Sequence, residues 1–560
     1  MDFKILNYIF GGIVIAIILC FIIICIRKFI LKKQTHRNKE TKLSNNKLKT
    51  FFQKNWYYIA FAILLIIAIF TRTYKINSLL NGLHVDEAGM AYDAYCIANY
   101  GVDRYLNSFP IYMINFGGGQ SALYTYLATI IVKFFDLSFL SIRLPGIILS
   151  LTAIITGFVL IKKTHGIKSG LFFMFLMIIC PWHVMQSRFG LDCNLLSSML
   201  MFSITGLVVS KKWWHYIITG ILFGLSLYTY VLSYIIIPVL LLLSIIYMLY
   251  IKKIKFKNVV ILGIPIAILA VPLILMLLIN MGYLEQINCI ITIPKLFSFR
   301  AEELTFNNIG YNLSLFKNII TYGGFIYNSI PQFGTIYLFA IPLVICGIIL
   351  GIIDTFKSIK NKKFNITAIM LFLFIANILV MALTSVNVNK LNSIYISLLY
   401  FIFIFVKKIY NNFKVGFFII LIMYIVMATS FFYYYYNKYN VDNKVIDLVN
   451  NDAILATQRV EEIDKNKNVY MHLNTHEPWI YVLYAIQMSP YEFNKTKVED
   501  LIDDWNNKFY FGRYRFELPE KIVSNSIYVI EPDEKNQNFV DELINNNYKS
   551  ESCGRYTIFY

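Results

Sequence analysis

The chain has 560 residues, 58% of them hydrophobic and 17% aromatic, with a mean hydropathy of +0.60. That composition excludes a soluble globular protein, and repeated apolar runs of roughly 17–22 residues, each long enough for a ~30 Å hydrocarbon core, imply a polytopic helical membrane protein. The formal charge of +19 raises nucleic acid as a partner, but the lysine clusters fall between apolar runs, where the positive-inside rule accounts for them, and nucleic-acid binding is set aside. The eight cysteines are scattered, without CxxC or Cys/His ligand spacing, so neither a disulfide framework nor a zinc site is indicated.

Phe10–Ile26 reads as a first span, followed by a basic block that includes Arg27, Lys28, Lys32, Lys33, Arg37, Lys39 and Lys42. Residues 1–55 are therefore an additional N-terminal transmembrane helix with a basic cytoplasmic linker. Trp56–Phe70 crosses outward and delivers a large outer loop, residues 71–139. Within it, Asn81–Gln120 concentrates acids, bases, aromatics and glycines. Ala122–Phe135 is apolar but short, and reading it as a surface-lying or re-entrant helix keeps Lys162, Lys163 and Lys168 on the cytoplasmic side. Spans near Leu140–Ile161, Ser169–Met185, Leu195–Val209, Tyr216–Leu232, Ile235–Ile251, Val259–Ile279, Ile336–Ile353, Ile366–Leu383, Ile394–Val406 and Val415–Tyr433 then alternate, about twelve helices in all. Every later lysine cluster becomes cytoplasmic. Arg188, Asp192, the loop 281–331 and Lys390 share the outer face with Asp86. Residues 56–436 form the transmembrane domain, and 437–560, with its mixed charged and strand-like runs (Asn468–Leu473, Ser526–Ile530, Arg555–Tyr560) and helix-like stretches (Lys444–Ile463, Pro478–Ile486, Phe539–Asn546), reads as a small extracytoplasmic α/β domain.

The adjacent carboxylates Asp86 and Glu87 point different ways on a loop or first helical turn. One facing a partly dry cleft can act as a general base on a hydroxyl; equally, Asp86 is a good N-cap for the helix that follows, with Glu87 favoured in its first turn by the helix dipole. PWHVMQSRFGLDCN, Pro181–Asn194, offers His183, Arg188 and Asp192. The arginine suits a lipid phosphate, and Asp192 can position it or ligate a divalent cation, while anchoring by Trp182 and a snorkelling Arg188 is the plainer account. Arg143 in SIRLPG and Lys390 in VNVNKLN are further candidates for phosphate, or an anchor and a solvated turn. His84, Arg104, Gln120 and His183 complete the candidates for substrate contact, with Gly117–Gln120 a turn whose amides can approach an anion.

Together HVDEAGMAYD, GVDRYLNSFP with FGGGQSALYTYL, SIRLPG, SRFGLD and VNVNKLNSIYI resemble, in order and spacing, the GT-C glycosyltransferases. The match is to the family 39 type, related to protein O-mannosyltransferases and lipid A aminoarabinose transferases, and covers about Trp56–Phe432. The resemblance implies transfer of a sugar from a polyprenyl-phosphate carrier to an extracytoplasmic hydroxyl acceptor (protein, wall polymer or glycolipid), by inverting single displacement. It assigns the first-loop aspartate to Asp86 with Glu87 beside it, the second-loop aspartate to Asp192, and the late basic residue to Lys390. Arg143, Arg188 and Lys390 would meet the lipid phosphate. Some relatives carry an acidic metal ligand where Gln120 stands here, which speaks against a tightly bound metal. Membrane lipids are the other expected partners, and the composition suits a bacterial plasma membrane. The rival class is a transporter or flippase of lipid-linked glycans, which would carry ionisable residues mid-span and interrupted helix pairs; a non-catalytic membrane scaffold is the third reading.

Overall fold

The computed structural model describes residues 3–31, 47–116, 118–299, 305, 307–321, 328–439, 445, 448–501 and 507–560. The linker lysines Lys32–Lys42, Gly117 and the start of the expected helix at Lys444 lie outside them. The chain divides into a helical unit (Met1–Tyr74, Gly146–Val271, Ala301–Lys438) and a mixed unit (Lys75–Pro145, Pro272–Arg300, Tyr439–Tyr560).

In chain order the helices are α1 (Phe3–Leu31), α2 (Lys47–Thr73), α3 (Val85–Tyr100), α4 (Ala122–Phe135), α5 (Phe139–His165), α6 (Ile167–Ile179), α7 (Pro181–Gln186), α8 (Asn194–Val209) and α9 (Trp213–Ser226). There follow α10 (Ser233–Tyr250), α11 (Phe256–Asn280), α12 (Ile309–Ser314), α13 (Phe316–Thr321), α14 (Ile341–Lys360), α15 (Ile366–Leu383), α16 (Ile394–Asn412) and α17 (Lys414–Asn437). Among the described residues, nine stretches are long and apolar enough to cross a membrane: α1, α2, α5, α10, α11, α14 with the turn before it, and α15 to α17. The chain is thus a multi-pass membrane protein.

Two expected spans are shorter than expected, and the sequence explains both breaks. Ser169–Met185 divides at Cys180, which is extended (φ −65°, ψ 122°) because the residue before a proline avoids the helical region. Trp182 N–H then finds the Thr335 carbonyl at 3.0 Å. Tyr216–Leu232 stops at Ser226, where Ser226 Oγ donates back to Leu222 O (2.7 Å) and Thr229 Oγ1 to Ser226 O (2.6 Å), side-chain bonds that compete with the helix ladder. The span expected at Leu195–Val209 is present as α8, with 16 residues. The 14-residue α4 has the bounds read from sequence and, at about 21 Å, is too short for a ~30 Å core.

Helix α16 is apolar around its circumference and buried from Ile394 to Val406, as an all-round hydrophobic helix must be. Its neighbour α14 approaches through Gly347, where a Cβ would lie 2.2 Å from the Phe401 carbonyl oxygen. Only glycine permits that backbone contact.

The mixed unit holds α3, α4 and the hairpin β1 (Tyr112–Asn115) and β2 (Gly118–Ser121), paired Tyr112 to Ser121. A two-stranded ribbon follows, β3 (Ile287–Asn288) and β4 (Thr292–Ile293). The C-terminal part adds β5 (Asn468–His472), β6 (Val498–Leu501), β7 (Asn507–Phe511), β8 (Tyr514–Arg515), β9 (Ser526–Ile530), β10 (Ser550–Cys553) and β11 (Tyr556–Phe559) in one seven-stranded sheet, order β10-β11-β9-β5-β8-β7-β6. β5 runs parallel to β8 and β9; the other pairs are antiparallel. Within the mixed unit, residues 439–560 pack on α3 and the turns beside it. Tyr92 OH donates to Met488 O (2.8 Å), Asn494 Nδ2 to Arg104 O (2.7 Å) and Asn450 N–H to Leu83 O (3.0 Å).

Candidate active site

Helix α3 begins two residues before the position read from sequence. Its N-cap is His84, whose Nδ1 accepts the Asp86 backbone N–H at 3.2 Å, while Glu87 Oε2 accepts the His84 N–H at 3.2 Å. This capping box removes Asp86 from the capping role expected of it. Because His84 Nδ1 is an acceptor here, its contact with Asp86 Oδ2 at 3.5 Å is not an ion pair of the neutral ring.

The two adjacent carboxylates have opposite environments. Glu87 is fully buried and takes two hydrogen bonds from Arg143, Nε to Oε1 and Nη2 to Oε2, each 3.1 Å. Arg143 also donates to Leu80 O (3.0 Å) and Gly82 O (2.6 Å), so each of its three nitrogens is engaged inside the unit. Arg143 and Glu87, expected at the lipid phosphate and in catalysis, hold each other in a buried bidentate fork that fixes the turn at residues 80–87. Asp86, by contrast, keeps its side chain 39% exposed.

What holds Asp86 is a relay that sequence reading missed. Arg104 is fully buried and forks onto Asp93, Nε to Oδ1 (2.9 Å) and Nη2 to Oδ2 (2.8 Å). Its Nη2 also donates to Asn115 Oδ1 (3.0 Å), which fixes the amide so that Asn115 Nδ2 donates to Asp86 Oδ1 at 3.1 Å. Gly89 makes room for this: a Cβ there would lie 2.6 Å from Asn115 Oδ1 and 2.7 Å from Arg104 Nη2. A mid-helix glycine, unfavourable by about 1 kcal/mol against alanine, was the available signal. Arg104, expected to touch substrate, also orients Asn115. Next to it Asp103 is buried, and burial together with the nearby Asp93 pushes its carboxyl up to about 6, against hydrogen bonds from Asn107 and Tyr105. Gln120 is buried on β2, and its Oε1 has no hydrogen-bond partner among the described residues.

The helical unit gathers the second set. Trp182 Nε1 donates to Asn392 Oδ1 (2.7 Å), and Asn392 Nδ2 donates to Cys193 O (3.2 Å) and Asn194 Oδ1 (2.9 Å). The loop of Lys390 is therefore bound to the loop of Asp192. Asp192 Oδ1 accepts the Cys193 N–H at 2.7 Å, and Lys390 Nζ reaches Thr384 Oγ1 at 3.4 Å. Arg188 is buried with its Cζ 5.7 Å from the centroids of both Tyr435 and Tyr436, and its Nε and Nη2 have no hydrogen-bond partner among the described residues. Tyr436 OH donates to Thr71 O (2.9 Å). Arg72, which sequence reading passed over at the end of α2, is buried too; it donates to Ile178 O (2.8 Å) and Met177 O (3.1 Å) and meets His183 Nδ1 at 2.9 Å. An arginine only donates, so His183 Nδ1 accepts and the imidazole is neutral. Among the described residues no three His, Cys, Asp or Glu side chains converge to hold a metal ion.

No protein-family model matches the chain, and no curated protein sequence does. Among solved structures it is similar to ArnT from Cupriavidus metallidurans bound to undecaprenyl phosphate, with 10% identity and a TM-score of 0.50 over 90% of this chain and 98% of that one. It is also similar to the archaeal oligosaccharyltransferase AglB from Archaeoglobus fulgidus, in complex with an inhibitory peptide and a dolichol-phosphate, with 13% identity, a TM-score of 0.47 and coverage of 77% and 64%. A polytopic helical bundle carrying an α/β unit is the class these elements define. The likeness to ArnT shows which one: the chain has the GT-C fold.

Proposed function

We propose that this chain is an integral-membrane glycosyltransferase that moves a sugar from a polyprenyl-phosphate donor to a hydroxyl acceptor at the extracytoplasmic face of a bacterial plasma membrane. The observation that carries the reading is the contrast between neighbours: Glu87 is buried and neutralised by Arg143, while Asp86 is half-exposed and held by Asn115. A carboxylate oriented but not neutralised suits a general base.

In this reading the acceptor hydroxyl gives its proton to Asp86 as its oxygen forms a bond to the anomeric carbon. The bond from that carbon to the phosphate oxygen breaks on the opposite face, with inversion, and the polyprenyl phosphate departs as a dianion. The leaving group needs cations rather than an acid. Arg188, with two unpartnered buried nitrogens and no carboxylate paired to it among the described residues, is assigned to that phosphate, with Lys390 as a second charge. Asp192 is assigned to holding the loop that presents Arg188. ArnT, a structural neighbour in this fold, was solved with undecaprenyl phosphate, which favours a donor of that chemistry.

The test is consumption of radiolabelled polyprenyl-phosphate sugars by purified protein with mixed cell-envelope acceptors. Transfer of one labelled sugar to an acceptor is expected. No donor consumed with acceptors present would reject the reading and favour lipid-linked glycan transport.

A further inference from the structure

One end of the helical unit gathers five lysines around a single cavity of ≈ 650 Å³. Lys163 comes from the end of α5, Lys211 follows α8, Lys253 follows α10, Lys357 lies on α14 and Lys363 stands between α14 and α15; Asp354 is the one carboxylate on the lining among the described residues. Asp192 precedes α8 and Lys211 follows it, so the cavity lies a helix length of about 24 Å from the loop of Asp192, and the proposed transfer reaction makes no use of it.

The rim is built, not collapsed. Tyr247 OH accepts the Asn365 N–H at 2.9 Å and bonds the Ser358 hydroxyl. Ser358 Oγ donates to Lys363 O (2.6 Å), and Lys363 N–H donates to Ser358 O (3.1 Å). Lys253 Nζ rests 5.1 Å from the Phe364 centroid. Five exposed lysines line the cavity against one acid, an excess of positive charge that favours an anion there, and the anion that best matches several ammonium donors is a phosphate. Along α10, Leu242, Ile246 and Tyr250 form an exposed apolar stripe at i, i+4 and i+8 that ends beside the cavity, where Lys362 Nζ lies 5.4 Å from the Tyr250 ring centroid. Acyl chains lying along that stripe would bring a headgroup to the lysines, the arrangement by which basic pockets between membrane helices take anionic lipids.

We propose that this cavity binds a phosphate group, presented as the headgroup of an anionic membrane lipid. The site is separate from the proposed donor site and does not depend on the transferase reading.

The test is native mass spectrometry of purified protein titrated with phosphatidylglycerol and phosphatidylcholine, with binding of inorganic phosphate measured in parallel by equilibrium dialysis. Three forms are compared: wild type; Lys253→Ala/Lys357→Ala/Lys363→Ala; and Lys168→Ala/Lys408→Ala/Lys414→Ala, which removes three exposed lysines away from the cavity lining. Wild type and the second triple variant should retain phosphatidylglycerol at least tenfold better than phosphatidylcholine, and the cavity variant should lose the preference. Binding of inorganic phosphate to wild type but not to the cavity variant, without lipid preference, would assign the site to a soluble phosphate and overturn the lipid source. Equal retention of both lipids without phosphate binding, or equal loss in both triple variants, would overturn the site itself.

Discussion

Arg143 grips Glu87 through two hydrogen bonds of 3.1 Å, with both side chains fully buried. Removing one member leaves an uncompensated charge out of water, which costs about 3–5 kcal/mol, whereas removing both costs far less. Arg143→Ala and Glu87→Gln should each lower the thermal unfolding midpoint of purified protein markedly, and Arg143→Met/Glu87→Gln should recover most of the loss. Near-wild-type midpoints for both single variants would contradict the pairing.

Gly89→Ala tests the relay that holds Asp86. Alanine is the better helix former by about 1 kcal/mol, so a purely structural effect is a gain in stability or a small change. The new methyl meets Asn115 Oδ1 and Arg104 Nη2, so turnover should fall on the order of 10–100-fold, since sub-ångström misplacement of a base carries costs of that size. Unchanged turnover would remove Asn115 from the positioning of Asp86.

Asp103 makes stability depend on pH with a definite sign. Its carboxyl titrates at about 6 in the fold against 3.8 as its ordinary value, so between about pH 4 and 6 the folded state holds the proton more tightly. The preference for the fold is fully present below that window and is lost as pH rises through it, by roughly 3 kcal/mol. Asp103→Asn should flatten this part of the pH–stability curve. A wild-type and variant pair with parallel curves would contradict it.

Arg188 should report on the donor. Arg188→Ala is expected to raise the donor KM at least tenfold, and Arg188→Lys to restore only part, because lysine keeps the charge but loses the planar stack on Tyr435 and Tyr436 and the fork. Steady-state kinetics against the polyprenyl-phosphate sugar decide it; an unchanged KM in both variants would take the phosphate away from this arginine.

Much of the scaffold was legible because it rests on short-range rules. Apolar run length set the spans. Short apolar runs marked β5, β9 and β11 in the middle of the sheet, while β6 and β10, richer in polar residues, went unread together with β7 and the two-residue β8. The breaks at Cys180 and Ser226 depend on Pro181 and on hydroxyl back-bonding, signals that were present but outweighed by hydrophobicity. The candidate site was legible as a neighbourhood and not as a set of roles. Glu87 and Arg143 lie 56 residues apart, so nothing local announced that each neutralises the other. Arg72 looked like the end of a span, and its bond to His183 spans 111 residues. Asp86 and His84 differ as caps by two residues, finer than helix boundaries can be read.

The most direct measurement is single-turnover transfer from a radiolabelled polyprenyl-phosphate sugar by wild type beside Asp86→Asn, with donor binding measured on both. The account predicts donor binding within a few-fold of wild type and transfer reduced by 10²–10⁴, because the amide keeps the shape but cannot take the hydroxyl proton. Transfer by Asp86→Asn at a near-normal rate would show that Asp86 is not the base.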